Sequence, residues 1–196
     1  MIDAKLITEL RAATGSGIVD CKKALEESGG VYAAAIEYLR KKGQKVAANK
    51  ESRETKEGVV YAYTHSNGRV GALVELLCET DFVARNEDFK GLAHELALQI
   101  VAMNPLYVKP DDVPSEVVDK EIEIYKDQMG GTLSGKPQEM VDKIMAGKIA
   151  KFYEEVCLVK QKFIKEDSIT IEELITRMIA KVGENIQIRR FSRFGL

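Results

Sequence analysis

Apolar residues recur with a helical period along most of the chain and alternate like strands in only two places. Near the start, Leu6, Ile7 and Leu10 mark a first short helix that gives way at Thr14-Gly15-Ser16-Gly17. A second runs from Ile18 to Glu27 and is closed by Ser28-Gly29-Gly30. A third carries Tyr32, Ala35, Ile36 and Leu39 on one side and is expected to stop at Gly43. Residues 1–43 therefore read as a three-helix module. A bundle this small has little core and serves best to present a surface.

Residues 44–57 are polar and lack a sustained apolar stripe, which predicts a linker, partly helical. The core, 58–196, opens with a hairpin over 59–78 around Ser66-Asn67-Gly68-Arg69, and Asn-Gly is a strong hairpin signal. Alternation in its second strand puts Val70, Ala72, Val74, Leu76 and Cys78 on one face. The opposite face mixes Leu73 and Leu77 with Glu75 and Glu79, so it is half wet or meets a partner.

Helical stripes follow. They are Leu92-Leu96-Ile100-Met103, ending at Asn104-Pro105, and Val118-Ile122-Tyr125-Met129, closed by Gly130-Gly131. Met145-Ile149-Phe152-Val156 and Ile171-Leu174-Ile175-Met178-Val182 are the other two. Gly183 ends the last, and residues 185–194 read as a terminal strand. The fold class is α+β: a helical N-terminal module, then a small antiparallel sheet packed with helices.

Composition narrows the function. The 196 residues include 29 Lys+Arg and 31 Asp+Glu, a net charge of −2, with 45% hydrophobic and 31% charged residues. That excludes a disordered chain and weighs against a general nucleic-acid binder. No apolar run reaches the ~18 residues of a membrane span, and Asp3 and Glu9 interrupt the N-terminus, unlike a signal peptide. Cys21, Cys78 and Cys157 are isolated, form no Cys-x-x-Cys pair and suit a reduced, cytoplasmic setting. His65 and His94 stand outside any hydrolase or zinc motif, and Gly135-Lys136 is followed by Pro137 where a phosphate loop needs Ser or Thr. The chain is expected to act by binding, without a cofactor or metal, rather than as an enzyme.

One joint stands apart from scaffolding. The strand ending at Glu79 runs straight into Thr80-Asp81-Phe82-Val83-Ala84-Arg85-Asn86. Asp81 could cap a turn with Phe82 packed beneath it, or Phe82 could be an aromatic wedge held at a rigid corner and aimed at another protein. Glu79 to Ala84 is also one of several segments similar in order to the bacterial elongation factor Ts family, guanine-nucleotide exchange factors of elongation factor Tu. The others are Leu10-Arg11 with Thr14 to Leu25, Lys109 to Val113, Ser134 to Pro137, and Lys181 to Arg190.

The resemblance implies a ubiquitin-associated-like N-terminal module that docks on the nucleotide-binding domain of elongation factor Tu, with Arg11, Ile18, Val19 and Lys50 at contact positions. It implies that Thr80, Asp81, Phe82 and Val83 disturb the magnesium and nucleotide site, and that Val182 and Gly183 form a second contact stretch. His65 matches a contact histidine of longer members. Those members carry two related core halves and a coiled-coil insertion, whereas this chain has one core. A homodimer could supply the second surface. Expected partners are thus elongation factor Tu, GDP-bound and nucleotide-free, and a second copy of the chain. A different class of reading, an RNA-binding accessory protein of translation, rests on Lys41, Lys42, Lys45, Lys50, Arg53 and Lys56 with Arg189, Arg190 and Arg193.

Overall fold

A computed structural model describes residues 2–133 and 137–196, so most of the Ser134 to Pro137 segment lies outside the described residues. Two compact units divide the chain: Met1–Leu98 with Glu172–Leu196, and Gln99–Ile171.

The first unit begins with α1 (Ala4–Thr14), α2 (Ile18–Glu27) and α3 (Tyr32–Ala48). Asp3 caps α1 by accepting from the Lys5 backbone N–H at 3.0 Å. Leu10, Cys21, Ala24, Leu25, Ala35 and Leu39 form the module's small buried core. The third helix does not stop at Gly43. It continues to Ala48, because Gly43 is a contact position rather than a terminator: a Cβ there would lie 3.7 Å from that of Ala180. The absent side chain lets α3 lie against α8 (Ile171–Val182), and Arg40 pairs with Glu173 across the same seam.

The sheet of this unit has strand order β1-β2-β5, all antiparallel, from β1 (Glu57–Thr64), β2 (Val70–Cys78) and β5 (Ile186–Gly195). Ala72, Val74, Leu76 and Cys78 are buried on one face, as the alternation predicts, while Leu73 is exposed on the other. The hairpin loop is wider than a two-residue Asn-Gly turn. Gly68 N–H donates to His65 O at 2.8 Å, and the strands close through His65 N–H to Val70 O at 2.9 Å.

In β5 the register shifts opposite Glu75, where Arg189 is the extra residue of a bulge. Arg189 and Arg190 therefore both reach one carboxylate, at 2.9 and 2.7 Å. Their guanidiniums, Arg190 foremost, hold the Glu75 carboxyl below its usual range. A single-turn helix α4 (Asp81–Ala84) follows β2 directly, and α5 (Glu87–Met103) comes next.

The second unit takes the end of α5, then α6 (Ser115–Leu133) and α7 (Gln138–Val156). The α6 helix runs past Gly130-Gly131 to Leu133, so these glycines, each helix-weakening by about 1 kcal/mol, do not close it. Asp112 accepts from the Lys109 backbone N–H at 3.1 Å, so Lys109 to Val113 is a closed 3-10 turn. A short hairpin, β3 (Lys162–Phe163) with β4 (Glu166–Thr170), ends the unit. Buried Gln99 organises it: its amide donates to Gln161 Oε1 at 3.2 Å and Lys162 O at 3.0 Å, and accepts from Ile164 N–H at 3.0 Å.

All three cysteines are buried and free. Burial pushes the Cys78 and Cys157 thiols up to about 11, so both stay protonated near neutral pH.

Candidate functional site

The strand-to-helix corner after β2 decides between the two readings of Phe82. Val83 and Ala84 turn inward and are buried, whereas Phe82 is 81% exposed. Phe82 is not packed beneath a turn; α4 presents it to solvent. This exposure sets a large apolar ring surface against water. Asp81 is half-buried and pairs with Arg85 at 3.0 Å within the same turn.

The corner is pinned from the turn that follows α8. Glu184 Oε2 accepts backbone N–H bonds from Glu79 at 3.2 Å and Thr80 at 3.0 Å, and its Oε1 accepts from Thr80 Oγ1 at 2.7 Å. Glu79 answers in the opposite direction. Its Oε1 accepts from Asn185 N–H at 2.6 Å, and its Oε2 accepts from Arg53 at 3.4 Å. Gly183 makes this reciprocity possible. Its φ of +78° ends α8 in the left-handed region that suits glycine, and the reversed chain brings Glu184 and Asn185 back toward β2.

Lys50 and Val182-Gly183 join the same corner. The Lys50 ammonium donates to the Gly183 carbonyl, so it is engaged within the chain at the end of α8. Asn185 is buried, and its side-chain amide donates to Glu51 O at 3.2 Å and Arg53 O at 2.9 Å. Residues 50–53, 79–80 and 183–185 thus form one clasp.

The other positions fall elsewhere. Arg11, in the last turn of α1, and Ile18 and Val19, opening α2, share one end of the N-terminal module because only Gly15-Ser16-Gly17 separates the helices. Ile18 is 56% and Val19 75% exposed. His65 sits at the hairpin tip, separated from the Phe82 corner by the length of β2, roughly 25 Å. Its Nδ1 lies 3.2 Å from the Tyr63 hydroxyl, and Tyr61 makes the same contact with His94.

Sequence reasoning missed Glu79, Glu184 and Asn185 as working residues. Charged and amide side chains beside strand ends read as solvated, and only the fold brings residue 184 to residue 80. The Asn185 N–H bond, followed by Arg53, holds the Glu79 carboxyl below its usual range. The stabilisation this represents is full above the ordinary carboxylate pKa, at about pH 4, and is lost as pH falls through the lower folded value. Glu79→Gln is therefore expected to lower the melting temperature at pH 7. The gap to wild type should narrow below about pH 4, and a pH series of thermal melts checks this.

Among the described residues no group of three metal-binding side chains occurs, and no helix is long and apolar enough to cross a membrane. The basic residues behind the RNA reading are largely paired: Lys41 with Glu37, Lys42 with Asp20, Lys56 with Glu54, and Arg189 and Arg190 with Glu75.

Comparison with known proteins bears directly on this corner. A family model described as Elongation factor TS matches residues 5–178. The chain belongs to the elongation factor Ts family. It is 51% identical over 195 residues to Elongation factor Ts of Syntrophus aciditrophicus, covering 100% of this chain and 96% of the relative. It is 52% identical over 193 residues to Elongation factor Ts of Thermotoga maritima, covering 98% of this chain and 95% of the relative. As a member of the elongation factor Ts family, the chain is a translation elongation factor, and the near-complete coverage extends the relationship through the Lys181 to Arg190 segment that builds the clasp.

Proposed function

We propose that this protein binds elongation factor Tu in its GDP form and promotes GDP release, acting in the cytoplasm as an exchange factor and not as an enzyme. The observation that carries the reading is Phe82: large, apolar, four-fifths exposed and held on a pinned corner. Arg11, Ile18 and Val19 dock the N-terminal module on the nucleotide-binding domain. Phe82, with Asp81 beside it, enters between elements of that domain and disturbs the magnesium site. Exchange follows from differential affinity. A factor that binds the nucleotide-free state better lowers nucleotide affinity by the same ratio, whereas equal affinity for both states does nothing.

The direct test is stopped-flow release of a fluorescent GDP analogue from elongation factor Tu. Release that accelerates with added protein and saturates supports the reading. A rate independent of the protein overturns it.

The open face of the β1-β2-β5 sheet supports a homodimer. Val60, Leu73 and Phe194 are exposed there, and Ala62 pairs with Leu73 between them. Glu75 in the middle of this face is matched by two arginines, so it does not oppose burial as a lone charge would. A second copy offers the same self-complementary mixture. Leu73→Asp is expected to convert a dimer to monomer at micromolar concentration in sedimentation velocity. A wild-type protein that sediments only as monomer refutes the dimer.

A further inference from the structure

The four-residue helix carrying Phe82 is too short to hold its own shape, since a single helical turn is unstable in isolation. Thr80, at its N-cap, makes no side-chain capping bond to it. The geometry of the corner must therefore come from packing and bonds beyond α4's own: Val83 and Ala84 are buried on its inner side, and Glu184 pins the residues that lead into it. Its carboxylate takes two backbone N–H groups and one hydroxyl from Glu79 and Thr80, the two residues just before Asp81-Phe82. A charged acceptor receiving converging donors is a strong restraint.

The restraint is itself braced. Asn185, 2% exposed, ties the turn to the backbone of residues 51 and 53, and Lys50 holds the Gly183 carbonyl. Residues 50–53 directly follow α3, the helix that joins the N-terminal module to α8 through Gly43. The third helix, the turn after α8 and the residues leading into the wedge thus sit in one continuous set of contacts.

We propose that Glu184, braced by Asn185, is a positioning residue: it pre-organises the Asp81-Phe82 corner so that the wedge enters its partner without first being ordered. The proposal rests on the exchange reading above. A wedge on a loose turn would pay its ordering cost on insertion, not on first encounter. Loss of Glu184 therefore lowers the maximal rate of stimulated GDP release and leaves the concentration for half-saturation, set by the N-terminal module, in place.

The experiment compares wild type, E184A, T80V, F82A and the double variant F82A/E184A in GDP release across a range of factor concentrations, with thermal melts of each. E184A is expected to lower the maximal rate by about tenfold, with half-saturation shifted by less than about twofold. T80V, which removes only the hydroxyl bond, is expected to lose about threefold and carries the test should E184A fail to fold. Because Glu184 works through the wedge, F82A/E184A should be no slower than F82A.

Three results overturn the positioning role: E184A and T80V at wild-type rates while F82A is slow, a changed half-saturation with an unchanged maximal rate, or losses that multiply in the double variant. Wild-type rates for F82A are a separate outcome and sink the wedge itself.

Discussion

Phe82→Ala should slow stimulated GDP release from elongation factor Tu by about 10- to 100-fold, with the fold intact. The magnitude follows from burial. A fully buried phenylalanine is worth roughly 1.5–3 kcal/mol, and about 1.36 kcal/mol is tenfold in rate. Because Phe82 is 81% exposed in the free chain, nearly all of that burial is still to be gained in the complex. For the same reason its truncation leaves no cavity, and the melting curve should match wild type to within about 0.5 kcal/mol.

Asp81 cannot substitute for it. Its carboxylate already faces Arg85 across a solvent-exposed pair, and exchanging one exposed partner for another gains little. The measurement is the maximal release rate at saturating factor, with half-saturation recorded alongside. Unchanged maximal rate in a folded Phe82→Ala protein would remove the wedge from the mechanism. Lost half-saturation alone would make Phe82 a docking contact instead.

The exposure of Phe82 was not legible in the local sequence, because Thr-Asp-Phe-Val after a strand can fold either of two ways. What decides is the pair that follows: Val83 and Ala84 take the inward positions, and a single helical turn cannot also bury residue 82. The alternation of β2 and the stripes of α5 and α8 were readable because burial imposes one period over many residues. The β3-β4 hairpin was not, since Phe163 and Ile169 are its only deeply buried hydrophobic residues and too few to set a period.

The helix boundaries at Gly43 and Gly130 were misread for a related reason. Glycine marks helix ends, close contacts and tolerated helix-interior positions alike: Gly43 faces Ala180 across a seam, whereas Gly130 sits in open space inside α6. The clasp was invisible for a different reason. Glu79 and Glu184 lie more than a hundred residues apart, and no local pattern links an acid that accepts the Glu79 backbone N–H with one that accepts the Asn185 backbone N–H.

Gly58→Ala should be the most damaging small substitution in the sheet, and the damage should reach the wedge. Gly58 pairs with Leu77 near the end of β2. A Cβ there would stand 2.2 Å from the Leu76 carbonyl oxygen and 2.9 Å from Leu77 Cα. Both are backbone atoms of the central strand, so no side chain can swing aside to make room. To restore an ordinary contact, β1 must move away from β2 by about 1 Å, which forfeits neighbouring ladder bonds.

The expected cost is about 3 kcal/mol or more, a fall in melting temperature of roughly 6–12 °C for a chain of this size. Gly91→Ala provides the contrast. That glycine lies in α5 with nothing within 4 Å of an added Cβ, and alanine there should stabilise by about 0.5–1 kcal/mol. Leu76 and Leu77 lie three to four residues before Thr80, so displacing them loosens the corner that Glu184 pins. Stimulated release should therefore fall with stability in Gly58→Ala and stay at wild type in Gly91→Ala. Equal melting temperatures for Gly58→Ala and wild type would mean that the strands separate freely at this point. The corner would then be held by the Glu184 clasp alone, without help from the strand that precedes it.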